Sequence, residues 1–273
     1  MKFSLGVTLY NPSLEYVSRI NNICSEFDFV YLYDNSLKKS KVLNEILNNP
    51  KIEYIFNGEN NGLAKAFNYF IDQSVNKYDY LCILDQDSKF TIENIKKMKE
   101  FLTQNNNSSL AIAAPSYSNL SLNNNNDNST NIKVKWVINS GSFLNLNLID
   151  KHELRYDSSY FLDRIDSDFC KMINQKNLDI IVYKQAVLEQ ELGYQYKNRS
   201  AHNPIRHYYI FRDRLYYNNK FYKRFLFSIL SLLQSVRHIL NIIFFEDEKI
   251  KKLKSCFYGY IDFKKQIHGK KMV

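Results

Sequence analysis

The first hundred residues alternate between short apolar runs and segments whose apolar residues recur at helical spacing. Four of the runs are typical of strands, and Asn, Asp or an Asn-Pro pair closes each one. Strands and helices alternating at this short spacing predict right-handed βαβ units and a mostly parallel sheet flanked by helices. The predicted strands are FSLGVTLY, FDFVYLYDNS, KIEYIFN and YDYLCILDQD, and the predicted helices are 14–26, VLNEILNN and GLAKAFNYFIDQSV.

The rest of the chain is less regular, but it still predicts ordered elements. These are a helix near 91–104, the strand LAIAAPSY between Asn-rich loops, and a helix followed by a strand across 160–193. Residues 225–245 are strongly apolar. We therefore predict an α/β domain over 1–219 and a helical tail over 220–273.

Polar and acidic residues follow the predicted strands. Because ligands bind parallel sheets beyond the carboxyl ends of the strands, these residues are expected to share one crevice. They are Asn11, Asp34 with Asn35, Asn60 with Asn61 and Gly62, and Asp85 with Asp87.

Asp85-Gln86-Asp87 is the most informative of these positions. Alternation along a strand would send both carboxylates to the same side, where they repel each other. The functional interpretation is a divalent metal site, because carboxylate oxygens hold Mg²⁺ or Mn²⁺ and the ion would neutralise a diphosphate. The alternative is a solvated turn after a strand, where Asp is common.

Composition and charge narrow the protein class. With 45% hydrophobic and 24% charged residues among 273, the chain is globular and not disordered by default. The formal charge of +9 lies mainly in 220–273, where twelve Lys or Arg and four Asp or Glu give +8. The basicity therefore belongs to the tail.

Cysteines, histidines and the N-terminus suggest no further chemistry. The four cysteines lie far apart without a zinc-binding pattern, so we expect buried free thiols. His152, His207 and His238 receive no role. The N-terminus lacks the pattern of a signal peptide, which predicts a cytoplasmic protein.

The ordered motifs resemble a known family. VTLYNPSLEYV, VYLYDNS, ENNGLAKAFN and YLCILDQDS match the nucleotide-binding half of family 2 glycosyltransferases with the GT-A fold. NSGSFLN, LRYDSSYFLDRIDSDFC and HNPIRHYYIFRDRLYYNNK resemble more narrowly the bacterial rhamnosyltransferase-like branch. The resemblance covers about 3–220 and implies a GT-A (Rossmann-like) sheet, with a nucleotide-sugar-binding half over about 1–100 and an acceptor half over about 101–219.

The resemblance assigns donor-binding roles to residues at the strand ends. Asp87 matches the metal ligand, Asp85 the ribose-side or water-mediated carboxylate, and Asp34 the residue that contacts base or ribose. The alternatives are an Asx turn at Asp34, an ordinary helix N-terminus at Gly62, and solvent instead of phosphate around Lys65. The nucleotide-sugar-binding set is Asn11, Asp34, Asn60, Gly62, Lys65, Asp85, Gln86, Asp87, Gly141 and Arg212.

A second acidic cluster follows at Asp163, Asp166 and Asp168. Asp166 matches the family's catalytic base, which takes the acceptor hydroxyl proton, and Asp168 is second in line as base or as an orienting residue. The alternative is helix capping, which applies first to Asp163.

Two further motifs carry weaker assignments. Asn139-Ser140-Gly141-Ser142 matches a turn that lines the donor sugar, or is a plain β-turn. Arg206 or Arg212 is suited to hold a diphosphate bidentately. However, Asp213 stands where the family usually has Asn, so an internal Arg-Asp pair is the alternative.

The tail is amphipathic. If 225–245 is a helix, one side of it is a narrow polar stripe and the rest is a broad apolar surface. The polar stripe consists of Ser228, Ser231, Gln234, Ser235, His238 and Asn241. Arg237 disfavours a span, so we predict peripheral contact with anionic lipid through 220–273 at the inner face of the plasma membrane. The alternative is a pair of helices packed on the catalytic domain.

The predicted function is a metal-dependent inverting glycosyltransferase. Its donor would be a dTDP- or UDP-linked sugar, with L-rhamnose as one candidate, and its acceptor a growing cell-surface glycan that is lipid-linked if the tail touches membrane. Nucleic acid is not a predicted partner, and a homodimer is left open. One alternative is a non-catalytic nucleic-acid or membrane-surface binding protein, which does not explain the acidic strand ends. The other is a sugar nucleotidyltransferase. That class has a glycine-rich phosphate loop near the first strand, and the segment LYNPSLEY contains none.

Overall fold

The computed structural model describes residues 1–44, 46–117, 130–190, 195–196, 199–200 and 202–271. The Asn-rich loop predicted from NLSLNNNNDNSTN lies almost wholly outside these residues. Packing divides the chain into two compact units: Met1–Tyr156 with Phe169–Glu191, and Asp157–Asp168 with Leu192–Val273. The division predicted between 219 and 220 falls inside a helix of the second unit.

The first unit contains a mixed, mostly parallel sheet flanked by helices, so the predicted fold class is confirmed. Its strands run in the order β3-β2-β1-β4-β8-β6-β9-β5, and β7 pairs with β9. They are β1 (Phe3–Leu9), β2 (Phe29–Asp34), β3 (Ile52–Phe56), β4 (Tyr80–Asp85), β5 (Ser88–Lys89), β6 (Leu110–Tyr117), β7 (Asn131–Val134), β8 (Phe143–Asn145) and β9 (Asp179–Gln190).

The four N-terminal strands β1 to β4 form a parallel block within this sheet. In the register of β1, Leu9 is opposite Asp34 of β2, and Thr8 is opposite Asp85 of β4. The carboxyl ends of β1, β2 and β4 therefore meet at one edge of the sheet.

Helices cover the sheet with their apolar stripes. Ser13 and Thr91 cap the first and third helices by accepting hydrogen bonds from backbone N–H groups three residues on. Ala64 and Ala66 are buried and small, so the second helix packs closely on the strands. The helices are α1 (Leu14–Ile23), α2 (Leu63–Ser74), α3 (Ile92–Gln104), α4 (Leu146–Lys151) and α5 (Ile165–Gln175), the last of which begins in Asp157–Asp168.

VLNEILNN differs from its predicted form. The prediction was a short α-helix, but the described residues form two 3₁₀ turns, Lys41–Leu43 and Ile46–Asn48. A segment this short does not offset the cost of nucleating an α-helix. Leu43 and Ile46 are nevertheless buried, as the apolar spacing predicted.

The second unit is mainly helical, so the predicted helical C-terminal region is confirmed. It contains the short antiparallel pair β10 (Gln195–Tyr196) and β11 (Arg199–Ser200). Its helices are α6 (Pro204–Phe221), α7 (Arg224–Phe245) and α8 (Lys249–Lys264), and both α7 and α8 pack on α6. Asn203 caps α6 through the N–H of Arg206, and Pro204 occupies the first helical position, where its missing N–H carries no penalty.

Candidate active site

Asp34 lies at the carboxyl end of β2 with both carboxylate oxygens bonded inside the protein. Its Oδ1 accepts from the N–H of Ser36 at 2.9 Å, and its Oδ2 accepts from the hydroxyl of Tyr54 at 2.7 Å. The side chain is fully buried. Burial, followed by this bond to Asp34, raises the pKa of Tyr54. Asp34 therefore forms the Asx turn that was the alternative to a nucleotide contact. Its bond to Tyr54 also holds β3 beside β2.

The loop before α2 is bonded to the same edge through amide side chains. Asn35 accepts from the N–H of Asn61 at 3.0 Å and donates to the carbonyl of Gly62 at 3.3 Å. Asn60 accepts from the N–H of Gly62 at 3.0 Å. The loop that contains Asn60 and Gly62 is therefore bonded to Asn35, the residue that follows Asp34.

Asn11 and Lys65 are at the exposed margin of this network. The N–H of Asn11 donates to the hydroxyl of Ser36 at 2.6 Å, which ties the end of β1 to the end of β2. Lys65 is exposed on the first turn of α2, with its ammonium 3.4 Å from Asn61 Oδ1. Its charge is available to an anion at the helix N-terminus.

Asp85 ends β4, and Gln86 and Asp87 form a turn. The alternation argument therefore stops at Asp85 and does not fix the direction of Asp87. Gln86 accepts from the N–H of Tyr10 and donates to its carbonyl, both at 3.0 Å, which anchors the turn on the end of β1. Asp85 and Asp87 are half-buried, and Thr8 Oγ1 lies 3.4 Å from Asp85 Oδ1.

The turn Asn139–Ser142 lies against the Asp85–Asp87 turn. Ser140 Oγ accepts from the N–H of Asp85 at 3.0 Å and is 2.7 Å from the hydroxyl of Ser88. Gly141 donates to the carbonyl of Ile83 at 2.7 Å and has a φ of +78°. This small-residue turn therefore sits directly beside the predicted metal ligands.

The donor set at the end of β4 fits a hard divalent cation. Two carboxylates lie within three residues of each other, and each is half-buried. Mg²⁺ and Mn²⁺ prefer such oxygen ligands and leave further coordination positions for phosphate oxygens and water. Asp85 and Asp87 are accordingly the residues that would hold the ion.

In the second unit, Asp168 forms a buried ion pair. Its carboxylate is 2.8 Å from the ammonium of Lys220 and accepts from the hydroxyl of Tyr160 at 3.1 Å. Lys220 also contacts Asp157 at 2.8 Å. Burial raises the pKa of Asp168, although Lys220 and Tyr160 oppose that rise. Only 1% of Asp168 is exposed, which favours the predicted orienting role over that of a base.

Asp166 and Asp163 are more exposed than Asp168. Asp166 lies in the first turn of α5 and is partly exposed. Asp163 precedes the helix and forms ion pairs with Arg164 and Arg206 at 3.6 and 3.7 Å. Asp163 therefore pairs with two arginines, and Asp166 is the more accessible candidate for the base that the sequence predicted.

Arg212 is enclosed within α6. It is fully buried, its Nε donates to Asp213 at 2.8 Å, and its Nη1 donates to the hydroxyl of Tyr208 at 3.2 Å. The guanidinium also lies over the rings of Tyr208 and Tyr209. The internal pair that Asp213 allowed has formed, so the geometry favours it over the predicted diphosphate contact.

The structure assembles one cluster that no spacing in the sequence indicates. The ligand atoms of His207, His238 and Cys256 lie within 4.8 Å of one another. Arg214 Nη1 is 3.2 Å from His238 Nδ1, and an arginine only donates, so Nδ1 accepts and the proton of neutral His238 is on Nε2. That proton faces His207 Nδ1 at 2.8 Å.

This arrangement leaves no nitrogen lone pair for a metal. His207 then carries its proton on Nε2, which is 2.9 Å from Glu246 Oε2. Burial also raises the pKa of Cys256 to about 11, which keeps the thiol protonated. The four cysteines are free and buried, as predicted. We therefore interpret the cluster as a polar connection between α6, α7 and the start of α8.

A separate recess of about 260 Å³ lies between α1 and residues 88–92. Its lining includes Ser88, which follows Asp87, but no predicted donor-binding residue. The recess is therefore not where the strand-end residues would hold a donor.

Solved structures share this fold. S. aureus TarS 1–349 in complex with UDP-GlcNAc matches 98% of this chain and 82% of its own, with a TM-score of 0.59 and 15% identity. GalNAc-T7 with UDP, GalNAc and Mn²⁺ matches 79% of this chain and 51% of its own, with a TM-score of 0.58 and 8% identity. The fold is therefore of the GT-A type.

The family model of Glycosyl transferase family 2 matches residues 14–182, and the chain belongs to this family. It is also 24% identical over 289 residues to the dTDP-rhamnosyl transferase RfbF of Shigella flexneri, covering 96% of this chain and 95% of that one. The predicted family resemblance is confirmed, and the chain is rhamnosyltransferase-like. The match favours a transferase over the binding protein and the nucleotidyltransferase that the sequence left open.

Proposed function

We propose that this protein is a metal-dependent inverting glycosyltransferase that moves L-rhamnose from a dTDP-linked donor to a glycan hydroxyl. The observation that carries the proposal is the convergence of Asp34, Asn60, Gly62 and the Asp85–Asp87 turn on one sheet edge. Ligands of parallel sheets bind at such an edge. The similarity to a dTDP-rhamnosyl transferase along nearly the whole chain supports the choice of donor.

The strand-end residues would bind the nucleotide diphosphate. Asp87, with Asp85, would hold Mg²⁺ or Mn²⁺, which when bound neutralises charge on the departing diphosphate. Gln86 holds the turn in place through Tyr10, and Lys65 adds positive charge at the start of α2. The Mn²⁺ present with GalNAc-T7 supports a divalent ion for this fold.

Asp166 is proposed as the base. Its carboxylate takes the proton of the acceptor hydroxyl while that oxygen forms a bond to the anomeric carbon. The bond from the anomeric carbon to the diphosphate breaks, and its electron pair leaves with the nucleoside diphosphate. A single displacement of this kind inverts the anomeric configuration. Asp168 and Lys220 would hold the start of α5 in position.

The proposed acceptor is a growing cell-surface polysaccharide on a lipid carrier. This assignment extends from the rhamnosyltransferase-like relationship and from the basic, apolar segment 220–273. The protein would then work in the cytoplasm, at the inner face of the plasma membrane. The identity of the lipid carrier is not needed for the transfer chemistry.

Release of dTDP from dTDP-L-rhamnose, with Mg²⁺ or Mn²⁺ and in their absence, tests the reaction. We expect release only with an ion, and a loss of about 100-fold or more in Asp87→Asn and in Asp166→Asn, the size typical for removal of a catalytic base or metal ligand. Asp150→Asn, the same change at an exposed carboxylate of α4, is the control and should match the wild type. Unchanged turnover in both Asp87→Asn and Asp166→Asn would falsify the assignments.

Asp168→Asn separates positioning from catalysis. Because the change removes the buried one of the two carboxylates that pair with Lys220, we expect a loss of about 1–3 kcal/mol in the free energy of unfolding, measured in urea. Asp166→Asn, at a more exposed position of the same helix, should lose less stability than Asp168→Asn. The opposite pattern would exchange the roles of the two residues.

A further inference from the structure

The polar stripe of α7 faces into the second unit. Asn218 of α6 donates to Ser231 Oγ and to Gln234 Oε1, both at 3.0 Å. Arg214 of α6 lies 3.5 Å from Ser235 Oγ and 3.2 Å from His238 Nδ1. Four of the six stripe residues (Ser231, Gln234, Ser235 and His238) therefore contact α6, whereas Ser228 and Asn241, toward the two ends of the helix, are exposed.

The opposite side of α7 is apolar and exposed. Phe225 is 78% exposed, Leu232 65%, Leu233 61% and Phe244 66%, and Val236 and Leu240 are also exposed. This surface, which we call the outer face of α7, extends over the 22-residue helix, about 33 Å long at 1.5 Å per residue. Its polarity is inverted relative to a helix on the surface of a soluble protein, which turns its apolar side inward.

The helix is long and apolar enough to cross a membrane. Its bonds to α6 favour a different placement, because they run from Ser231 to His238 and tie α7 lengthwise to a helix that contains Arg214 and Lys220. Arg237 is exposed near the middle of α7, where a span would place it in hydrocarbon. A helix lying in the plane of the membrane surface, with its outer face toward the acyl chains, satisfies both observations.

Charge decides between a lipid surface and a second copy of the chain. Residues 220–273 have a formal charge of +8, and Lys223 and Arg224 precede the outer face while Lys249, Lys251 and Lys254 follow it on α8, all exposed. A second copy would bring the same charge to the interface. Anionic headgroups complement it, and an apolar face with a basic patch supplies the two signals that stable peripheral binding requires.

We infer that the outer face of α7 docks on an anionic lipid bilayer. The helix α8 also carries exposed aromatic residues, Phe257, Tyr258 and Tyr260, of the kind that favour the headgroup region. This inference specifies the membrane contact proposed above and does not depend on which sugar is transferred. Its failure would leave dTDP release unaffected.

Flotation of the full chain with phosphatidylcholine vesicles, with and without phosphatidylglycerol, tests the inference. We expect flotation with the anionic vesicles and about a 10-fold smaller bound fraction for Leu232→Glu/Leu240→Glu. The matched control is Leu14→Glu/Ile92→Glu, which places the same charges on exposed apolar residues at the first positions of α1 and α3. The control should float like the wild type, and all variants should release dTDP equally without vesicles.

A fluorescent probe gives a second measurement, which detects vesicle contact directly and does not depend on a variant that binds vesicles more weakly. Because the native cysteines are buried, a Leu240→Cys thiol can be labelled selectively with an environment-sensitive dye. Anionic vesicles should shift its emission to the blue. The lipid assignment is wrong if wild type does not float and the dye does not shift. A second outcome would also contradict it: the wild type is a dimer, Leu232→Glu/Leu240→Glu is a monomer, and neither protein binds vesicles. The outer face of α7 would then be covered by a second copy of the chain.

Discussion

At the scale of single residues, Gly141 shows why one backbone position matters for the candidate site. Its φ of +78° places it in the left-handed region, and a Cβ there would lie 3.1 Å from Pro115 Cγ and 3.2 Å from Leu188 Cδ2. The adjoining Ser140 holds the N–H of Asp85. A change at Gly141 therefore affects both the packing of the sheet and the turn beside the metal ligands.

Comparison of Gly141→Ala with Gly58→Ala separates backbone strain from crowding. Gly58 has a φ of +75°, but a Cβ added there would be 3.9 Å from its nearest neighbours, so only strain of about 1 kcal/mol is expected. Gly141→Ala should be less stable than Gly58→Ala by about another 1–2 kcal/mol, because two neighbours must move. Urea unfolding of both variants measures this difference. Equal losses in the free energy of unfolding would show that Pro115 and Leu188 move aside at no energetic cost.

At the scale of elements, α6 and α7 are joined by a chain of donors and acceptors. Arg214, His238, His207 and Glu246 follow one another, and Lys252 of α8 contacts the same Glu246 oxygen at 2.9 Å. Burial, then the charge of Arg214, lowers the pKa of His238 to about 3 from its ordinary 6.5, and burial also lowers the pKa of His207. The folded helix pair therefore favours the neutral form of both imidazoles.

The stability of the protein should consequently fall as the solution is acidified. Because the folded pKa of His238 is below its unfolded value, the unfolded chain binds the proton more readily, and stability that is fully present above about pH 6.5 declines toward pH 3. Urea unfolding between pH 7 and pH 5, compared with His238→Gln, measures the effect. The Gln amide can accept from Arg214 and donate to His207 without titrating, so the variant should lose less stability over this range. Parallel curves would contradict the assignment.

At the scale of the whole molecule, charge and donor chemistry belong to different compact units. The strand-end carboxylates and amides belong to the first unit, whereas the +8 charge of 220–273 belongs to the second. Substitutions on the outer face of α7 therefore leave every strand-end residue unchanged, and substitutions at the strand ends leave the basic segment unchanged. Donor binding and lipid binding are accordingly open to independent tests.

Binding of the product nucleotide should stabilise the protein only together with the ion. At a dTDP concentration of about 100 times Kd, mass action adds ~2.7 kcal/mol to the free energy of unfolding. A thermal melt with dTDP and Mn²⁺ should therefore give a higher Tm than either alone, and Asp87→Asn should remove the part that depends on Mn²⁺. A Tm shift of the same size in Asp87→Asn would place the ion elsewhere.

The periodicity of the sequence was sufficient for most elements of the fold. Apolar runs closed by Asn or Asp predicted β1 to β4, and because parallel strands end at one edge, they also predicted that Asp34, Asn60 and Asp85 would be neighbours. Short Asn-rich segments were less predictable: VLNEILNN has helical spacing but too few residues to nucleate an α-helix.

The order of residues was enough to establish which positions are apolar, where strands end and that α7 has two unlike faces, because each of these depends on residues close together in the chain. The partners of the polar side chains, by contrast, depend on contacts between distant segments of the folded chain. Lys220 lies 52 residues from Asp168, and Asn218 and Arg214 of α6 select the polar stripe of α7 as its inner face. A periodic pattern states that two faces differ, whereas the bonding groups of the neighbouring helix fix which of them is covered.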